Sequence, residues 1–284
     1  MQKKVRFVLV FCLFSCLFGI EAQADIRVIG SASNLEMMSN LVIAFGAKTG
    51  VAVDLRGPGS IEGLHQLEKG EADVAYASEQ LPGIEKSPGL IGFSYCRDAV
   101  AVVVHPANTV KSLSREELKA IFTGNRSQWD DGTGVVVLIR DGFSGTRQFF
   151  EEKIIDGEAF VPAYIDVEQM GTGMMLTPIF SNFNPPFFPL IKRAEDMLFS
   201  LAKFRGAIAY LSIGGIPKEA RVINIDGVGP TTENIKNGKY LLSRVPMLVT
   251  KGEPTGEAKQ LIDFILSPEG QKIVERMGYI PLNE

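Results

Sequence analysis

Ile26-Arg27-Val28-Ile29-Gly30 opens the stretch that decides the fold, residues 26–77: IRVIGSASNLEMMSNLVIAFGAKTGVAVDLRGPGSIEGLHQLEKGEADVAYA. Residues 26–29 are a short β-rich run that stops at Gly30. Ser33 or Asn34 can then cap a helix whose Leu35, Met38, Leu41, Val42 and Phe45 recur at helical spacing and end near Gly50. Val51 to Leu55 is the next strand. Gly57-Pro58-Gly59-Ser60 opens a second helix through Leu64 and Leu67 to Gly70, and Asp73 to Ala77 is a third strand. A βαβαβ order predicts a parallel sheet with helices packed against it.

The same alternation continues downstream. Ala99 to Val104 is an apolar strand ending at His105-Pro106, and Ser114 with Glu117 forms a capping box for a helix through Ile121. Val135 to Ile139 is a buried strand, followed by a turn at Gly142 to Gly145 and a helix through Phe149 and Phe150. Phe180 to Pro189 has no period and reads as a loop; Ala207 to Leu211 and Met247 to Val249 read as strands. Ser267-Pro268-Glu269 starts a last helix, with Ser as cap and Pro at the first helical position.

Upstream, Lys3, Lys4 and Arg6 precede a fourteen-residue apolar run, Phe7 to Ile20, and Ala22-Gln23-Ala24 has the small-x-small form of a signal-peptidase site. Residues 1–24 are therefore expected to be a signal peptide, with Asp25 the first mature residue. Leu13-Phe14-Ser15-Cys16 loosely resembles a lipobox, but the bulky Phe14 favours cleavage after Ala24. No later stretch is long and apolar enough to span a bilayer, which needs about 20 residues. The mature chain is expected to be soluble.

Without residues 1–24 the chain has 26 basic and 32 acidic residues, a net charge of −6, which argues against a nucleic-acid partner. Cys96 is then the one remaining cysteine, so no internal disulfide forms, and no metal-ligand spacing is present. The 260 remaining residues suit one large domain or two modest ones.

The chemistry lies in three turns. Gly30-Ser31-Ala32-Ser33, Gly57-Pro58-Gly59-Ser60 and Gly142-Phe143-Ser144-Gly145-Thr146 each follow a strand and begin a helix. Glycine allows close backbone approach, and the first helical N–H groups lack intrahelical acceptors. Such a terminus attracts anions. One instance reads as ordinary Ser capping; three, if they converge, would surround a tetrahedral oxyanion with donors. Arg140 ends its strand just before the third turn, and its fixed fork suits a dianion. Alone, it would read as a surface partner of Asp141.

Over nearly the whole mature chain the sequence resembles the phosphate-binding subunits of bacterial phosphate ABC importers, which are type II periplasmic binding proteins. The resemblance is strongest at Gly57 to Leu67, Leu118 to Trp129, Arg140 to Phe150 and Asp226 to Leu282, including Leu242-Ser243-Arg244 and Gly278-Tyr279. It implies an α/β fold of two lobes, mixed sheets flanked by helices, with a cleft between the lobes. Lobe one is expected at 25–103 plus 211–284 and lobe two at 104–210. By position it implies phosphate contacts from Ser33, Asn34 (through its backbone), Ser60, Arg140, Ser144, Gly145 and Thr146. It also implies an acidic acceptor at Glu79, after Ala77-Ser78. The implied partners are inorganic phosphate and an ABC permease; the implied protein is periplasmic, monomeric, without cofactor or metal, and not an enzyme.

The chain departs from the family at Glu79, where aspartate is usual, and at Ser33-Asn34, where Thr-Phe or Thr-Val is usual. The acidic residue between Arg140 and Ser144 comes one place early, and Met170 to Met197 matches poorly. Other readings are a sensor or scavenger of another tetrahedral oxyanion, and an enzyme acting on a phosphorylated substrate. For the enzyme, His65, His105, Cys96 and the pair Asp130-Asp131 supply no convincing catalytic set. Gly142 to Thr146 lacks the last glycine of a nucleophile elbow. Gly57-Pro58-Gly59 followed by Gly63 is one residue too long for a dinucleotide fingerprint.

Overall fold

The computed structural model describes residues 25–79, 89–156, 165–166, 189–191, 196–217 and 220–282. The expected signal peptide, with Cys16, lies outside the described residues, as does the expected loop at 180–189 apart from Pro189, which begins a strand. In chain order the elements are β1 (Ile26–Gly30), α1 (Leu35–Thr49), β2 (Val53–Arg56), α2 (Ser60–Lys69), β3 (Val74–Ala77), β4 (Leu90–Ser94) and β5 (Asp98–Val104). Then come β6 (Ser112–Leu113), α3 (Arg115–Phe122), β7 (Val136–Val137), β8 (Ile139–Arg140), α4 (Gly145–Ile154), β9 (Ile165–Asp166) and β10 (Pro189–Ile191). The last are α5 (Asp196–Lys203), β11 (Ala207–Ser212), β12 (Arg221–Ile225), α6 (Thr232–Lys236), β13 (Ser243–Arg244), β14 (Met247–Lys251), α7 (Gly256–Leu266) and α8 (Pro268–Arg276).

The opening βαβαβ unit builds a sheet ordered β2-β1-β3-β14-β4. Strands β1, β2 and β3 are parallel, and β14 enters antiparallel between β3 and β4. Both faces are covered, as parallel strands require. Val28, Val74, Tyr76 and Leu248 pack toward Met38, Leu41 and Phe45 of α1, and toward Leu261, Ile265 and Val274 of α7 and α8. Ile29, Ala75, Met247 and Val249 point the other way, onto Leu67 of α2. Helices α1 and α2 end at Gly50 and Gly70, both in the left-handed conformation.

The second sheet is ordered β6-β12-β5-β11-β7, with β13 pairing the start of β5. Strands β5 and β11 run antiparallel from Val104↔Ile208 to Val100↔Ser212. Val100, Val102, Ile208 and Tyr210 meet α3 and α4 through Leu118, Ile121 and Phe150. Val103, Ala209 and Leu211 meet Met197 and Leu201 of α5. The Phe150 and Tyr210 rings stack at 4.5 Å. A small parallel sheet, β8-β10-β9, carries Arg140 at its edge.

Several elements differ from expectation. The single strand expected over Val135 to Ile139 is two strands in different sheets. At Leu138 the backbone N–H still bonds to Ile208, and one residue later the chain turns to pair with β10. Neither Ser33 nor Asn34 caps α1 with its side chain; residues Ala32–Asn34 form a single 3₁₀ turn instead. Strands β4 and β12 and helix α5 were not anticipated. Strand β12 and the core residues Tyr240 and Leu242 belong with the second sheet, so that sheet draws on residues beyond position 211. The capping box is present, with Glu117 N–H to Ser114 Oγ at 3.1 Å and Ser114 N–H to Glu117 Oε2 at 2.8 Å. Ser267 caps α8 as expected.

Candidate anion-binding site

The three turns singled out in the sequence meet. Ser33 Oγ, in the 3₁₀ turn after β1, is 2.9 Å from Thr146 Oγ1 in the first turn of α4. Gly59, with φ of 137°, lies so close to the Phe143 carbonyl that a Cβ there would overlap it. This is a conformation and an approach that only glycine combines. Gly145 faces the Glu79 carboxylate just as closely. Ser60 Oγ, at the start of α2, accepts from Ser78 N–H at 3.2 Å and lies 3.5 Å from Glu79 Oε2. Ser78 Oγ donates to the same carboxylate oxygen at 2.7 Å.

Of the expected contact residues, Asn34, Ser60, Glu79, Arg140, Ser144, Gly145 and Thr146 are buried and Ser33 is half-buried. Ser144 Oγ accepts from Arg147 N–H at 3.3 Å and so caps α4, leaving the amides of Gly145 and Thr146 at the head of the helix. The Asn34 side chain turns toward Ser31 Oγ (3.1 Å), and its Nδ2 has no hydrogen-bond partner among the described residues. Arg140 is enclosed rather than paired with Asp141. Its Nε donates to Ile191 O at 3.1 Å and its backbone N–H to Tyr210 Oη at 3.1 Å, while Asp141 accepts from Phe143 N–H. Ser33, Arg140, Thr146, Tyr210 and Ser212 share the wall of a cavity of about 1030 Å³.

Two charged residues reach the site that the sequence did not single out as contacts. Asp98 and Arg244 form an ion pair with no side-chain exposure, at 2.7 Å, and Arg244 Nη1 donates to Thr146 Oγ1 at 2.9 Å. In sequence Asp98 directly precedes the apolar run Ala99 to Val104, and Arg244 stands three residues before the run at Met247 to Val249. Burial pushes the Glu79 carboxyl above the ordinary carboxylate range. The Arg244 charge and the Ser78 and Ser60 hydroxyls pull partly in the opposite direction.

The groups weighed for catalysis do not gather here. His65 is exposed on α2, His105 Nδ1 accepts from Ala107 N–H, Asp130 pairs with Arg126, and Asp131 accepts from Thr133 N–H in a turn. Cys96 is fully buried, and burial pushes its thiol well above the usual range. Among the described residues no three metal-ligating side chains cluster, and no helix is long and apolar enough to cross a membrane.

Sheets closed on both faces by helices, with helix starts converging where the sheets meet, define a binding-protein architecture. The sequence profile of the PBP superfamily domain matches residues 20–269, and the chain belongs to that superfamily. It is 28% identical over 278 residues to the phosphate-binding protein PstS of Bacillus subtilis, covering 93% of this chain and 83% of that one. A Clostridium perfringens protein assigned as a phosphate ABC transporter substrate-binding protein, solved with bound phosphate, superposes with a TM-score of 0.76. It is 28% identical, over 91% of this chain and 99% of that one. An ABC-type phosphate transport receptor from Vibrio cholerae superposes with a TM-score of 0.71 at 27% identity, over 90% of this chain and 99% of that one. The expected fold, α/β with mixed sheets flanked by helices as in type II periplasmic binding proteins, is the fold found.

Proposed function

We propose that this protein captures inorganic phosphate in the cleft between two lobes and delivers it, from the periplasm, to the permease of an ABC importer. The observation that carries this is the convergence of three helix starts, through Ser33–Thr146 and Gly59–Phe143, with the Glu79 carboxylate against Gly145 at the head of α4. Helix starts present unpaired N–H groups and partial positive charge, which together favour an oxyanion. Arg140 opens onto the same cavity and adds a fork of donors. The names of the similar proteins point the same way.

In this reading Ser33, Ser60, Ser144, Gly145 and Thr146 supply donors with the Asn34 backbone, Arg140 supplies charge, and Glu79 accepts the proton that phosphate retains. One lobe is the body of the first sheet, and the other that of the second and third sheets, with residues 221–242 grouped with the latter by strand pairing and core contacts. The protein acts as a monomeric carrier rather than an enzyme. Calorimetric titration with phosphate, sulfate, arsenate and molybdate tests the assignment: tight binding of phosphate is expected, and no measurable phosphate binding would reject it.

A further inference from the structure

Arg244 is a buried cation beside the proposed site, outside the expected contact set. Strand β13 places it opposite Asp98 at the start of β5. Its Nε donates to Asp98 Oδ2 at 2.8 Å, while Nη2 lies 2.7 Å from that oxygen out of hydrogen-bond alignment and contributes charge alone. Asp98 also holds Ser212 Oγ, at 2.9 and 3.0 Å from its two oxygens. Ser212 Oγ is 3.2 Å from Tyr279 Oη, which donates to Ser33 O at 3.1 Å. Ser33 Oγ meets Thr146 Oγ1, which accepts from Arg244. Six residues from β13, β5, β11, the C-terminal turn, the 3₁₀ turn and α4 thus form a closed ring.

Two physical points follow from the ring. A guanidinium has donors only, so Thr146 Oγ1 is the acceptor in its contact with Arg244 and its one hydrogen points away from the guanidinium. A charged donor also polarises the hydroxyl it binds, which strengthens that hydroxyl as a donor to the next group. A buried ion pair is weak as a stabilising device, because desolvation offsets most of its attraction. Its value here is directional. We infer that Arg244 is a positioning residue for anion capture: anchored by Asp98, it fixes the Thr146 hydroxyl as a donor aimed at the anion. The inference rests on the proposed phosphate site.

The test is a double-mutant cycle in phosphate Kd, measured by calorimetry on wild type, Arg244→Lys, Thr146→Val and the double variant. Lysine keeps the charge but not the fork that reaches Asp98 and Thr146 together. Each single change is expected to weaken binding about tenfold, and the double variant to bind within about twofold of Thr146→Val, since residues acting through one contact are not additive. Thr146→Ser, which keeps the hydroxyl, should lose less affinity than Thr146→Val and lose about a further tenfold when Arg244→Lys is added. Multiplying losses, or unchanged affinity in Arg244→Lys, would overturn the inference alone. Wild type that binds no phosphate would overturn the proposed function and this inference with it. Should Arg244→Lys not fold, Ser212→Ala loosens Asp98 without altering a buried charge, and its effect must likewise vanish in the Thr146→Val background.

Discussion

The Glu79 carboxylate lies directly against Gly145, the first residue of α4, so closely that a Cβ on Gly145 would overlap both carboxylate oxygens. An acidic side chain from the first sheet therefore sits at the head of a helix from the second, where its negative charge meets the positive end of the helix. Gly145→Ala must displace either the carboxylate or the helix start. It is expected to weaken phosphate binding at least tenfold, about 1.4 kcal/mol. Glu79→Ala in the same protein should recover thermal stability by opening space. Calorimetry and thermal unfolding read the two effects, and wild-type affinity in Gly145→Ala would show that the contact does not bear on the anion.

Glu79 also gives the protein a pH signature. Its raised pKa means the folded state holds the proton more tightly than the unfolded chain. That contribution is fully present below about pH 4, where the unfolded carboxyl is protonated, and is lost as pH rises through the folded value. Glu79→Gln, which removes the charge but keeps an acceptor for Ser78, should therefore have a higher Tm than wild type at pH 7. The difference should close toward pH 4. A Tm gap that is the same at both pH values would remove Glu79 from the account.

The same carboxylate should discriminate between anions. Phosphate at neutral pH retains a proton to donate to Glu79, whereas sulfate has none and would leave a buried acceptor unpaired, at about 1–3 kcal/mol or more. Wild type should prefer phosphate at least tenfold, a difference of about 1.4 kcal/mol. Sulfate affinity should rise as the pH falls and Glu79 gains a proton. Competition titrations of wild type and Glu79→Gln across pH check this; unchanged selectivity in Glu79→Gln would assign the discrimination to another residue.

Arg140→Ala should weaken phosphate binding by about 2–5 kcal/mol, because truncating a charged donor in a desolvated site removes its contact and leaves the anion's charge unmatched. Arg140→Lys should recover only part of this, since it restores charge without the planar fork. Retention of wild-type affinity in Arg140→Ala would make the residue a structural partner of Ile191 and Tyr210 rather than an anion contact.

As a control remote from the cleft, Ser114→Ala breaks the capping box of α3 and should cost about 1 kcal/mol of stability, with phosphate affinity unchanged. Denaturant unfolding measures the first and calorimetry the second. A loss of affinity would mean that the α3 end communicates with the cleft.

Much of the fold was legible in local pattern, because the signals are short-range. Helical spacing from Leu35 to Phe45, the glycines that stop α1 and α2, and the Ser114–Glu117 box each act within a few residues, and each has its expected outcome here. The three glycine- and serine-bearing turns were visible for the same reason. What periodicity could not give was the partner of each strand. Residues 135–139 are uniformly apolar whether they form one strand or two, and only the neighbours, β11 on one side and β10 on the other, divide them between sheets at Leu138. Likewise the sequence does not say which cation meets Asp98, whose neighbour Arg97 is not its partner. Arg244 stands 146 residues away, and the pair exists because β13 lies beside the start of β5. The sequence by itself determined helices α1 to α4 and α8, strands β1 to β3, β5, β11 and β14, and which turns offer donors. Tertiary structure alone decided that those turns face each other and that buried charges hold their hydroxyls, because charges and hydroxyls 98 to 114 residues apart acquire direction only when packing brings them within hydrogen-bond reach.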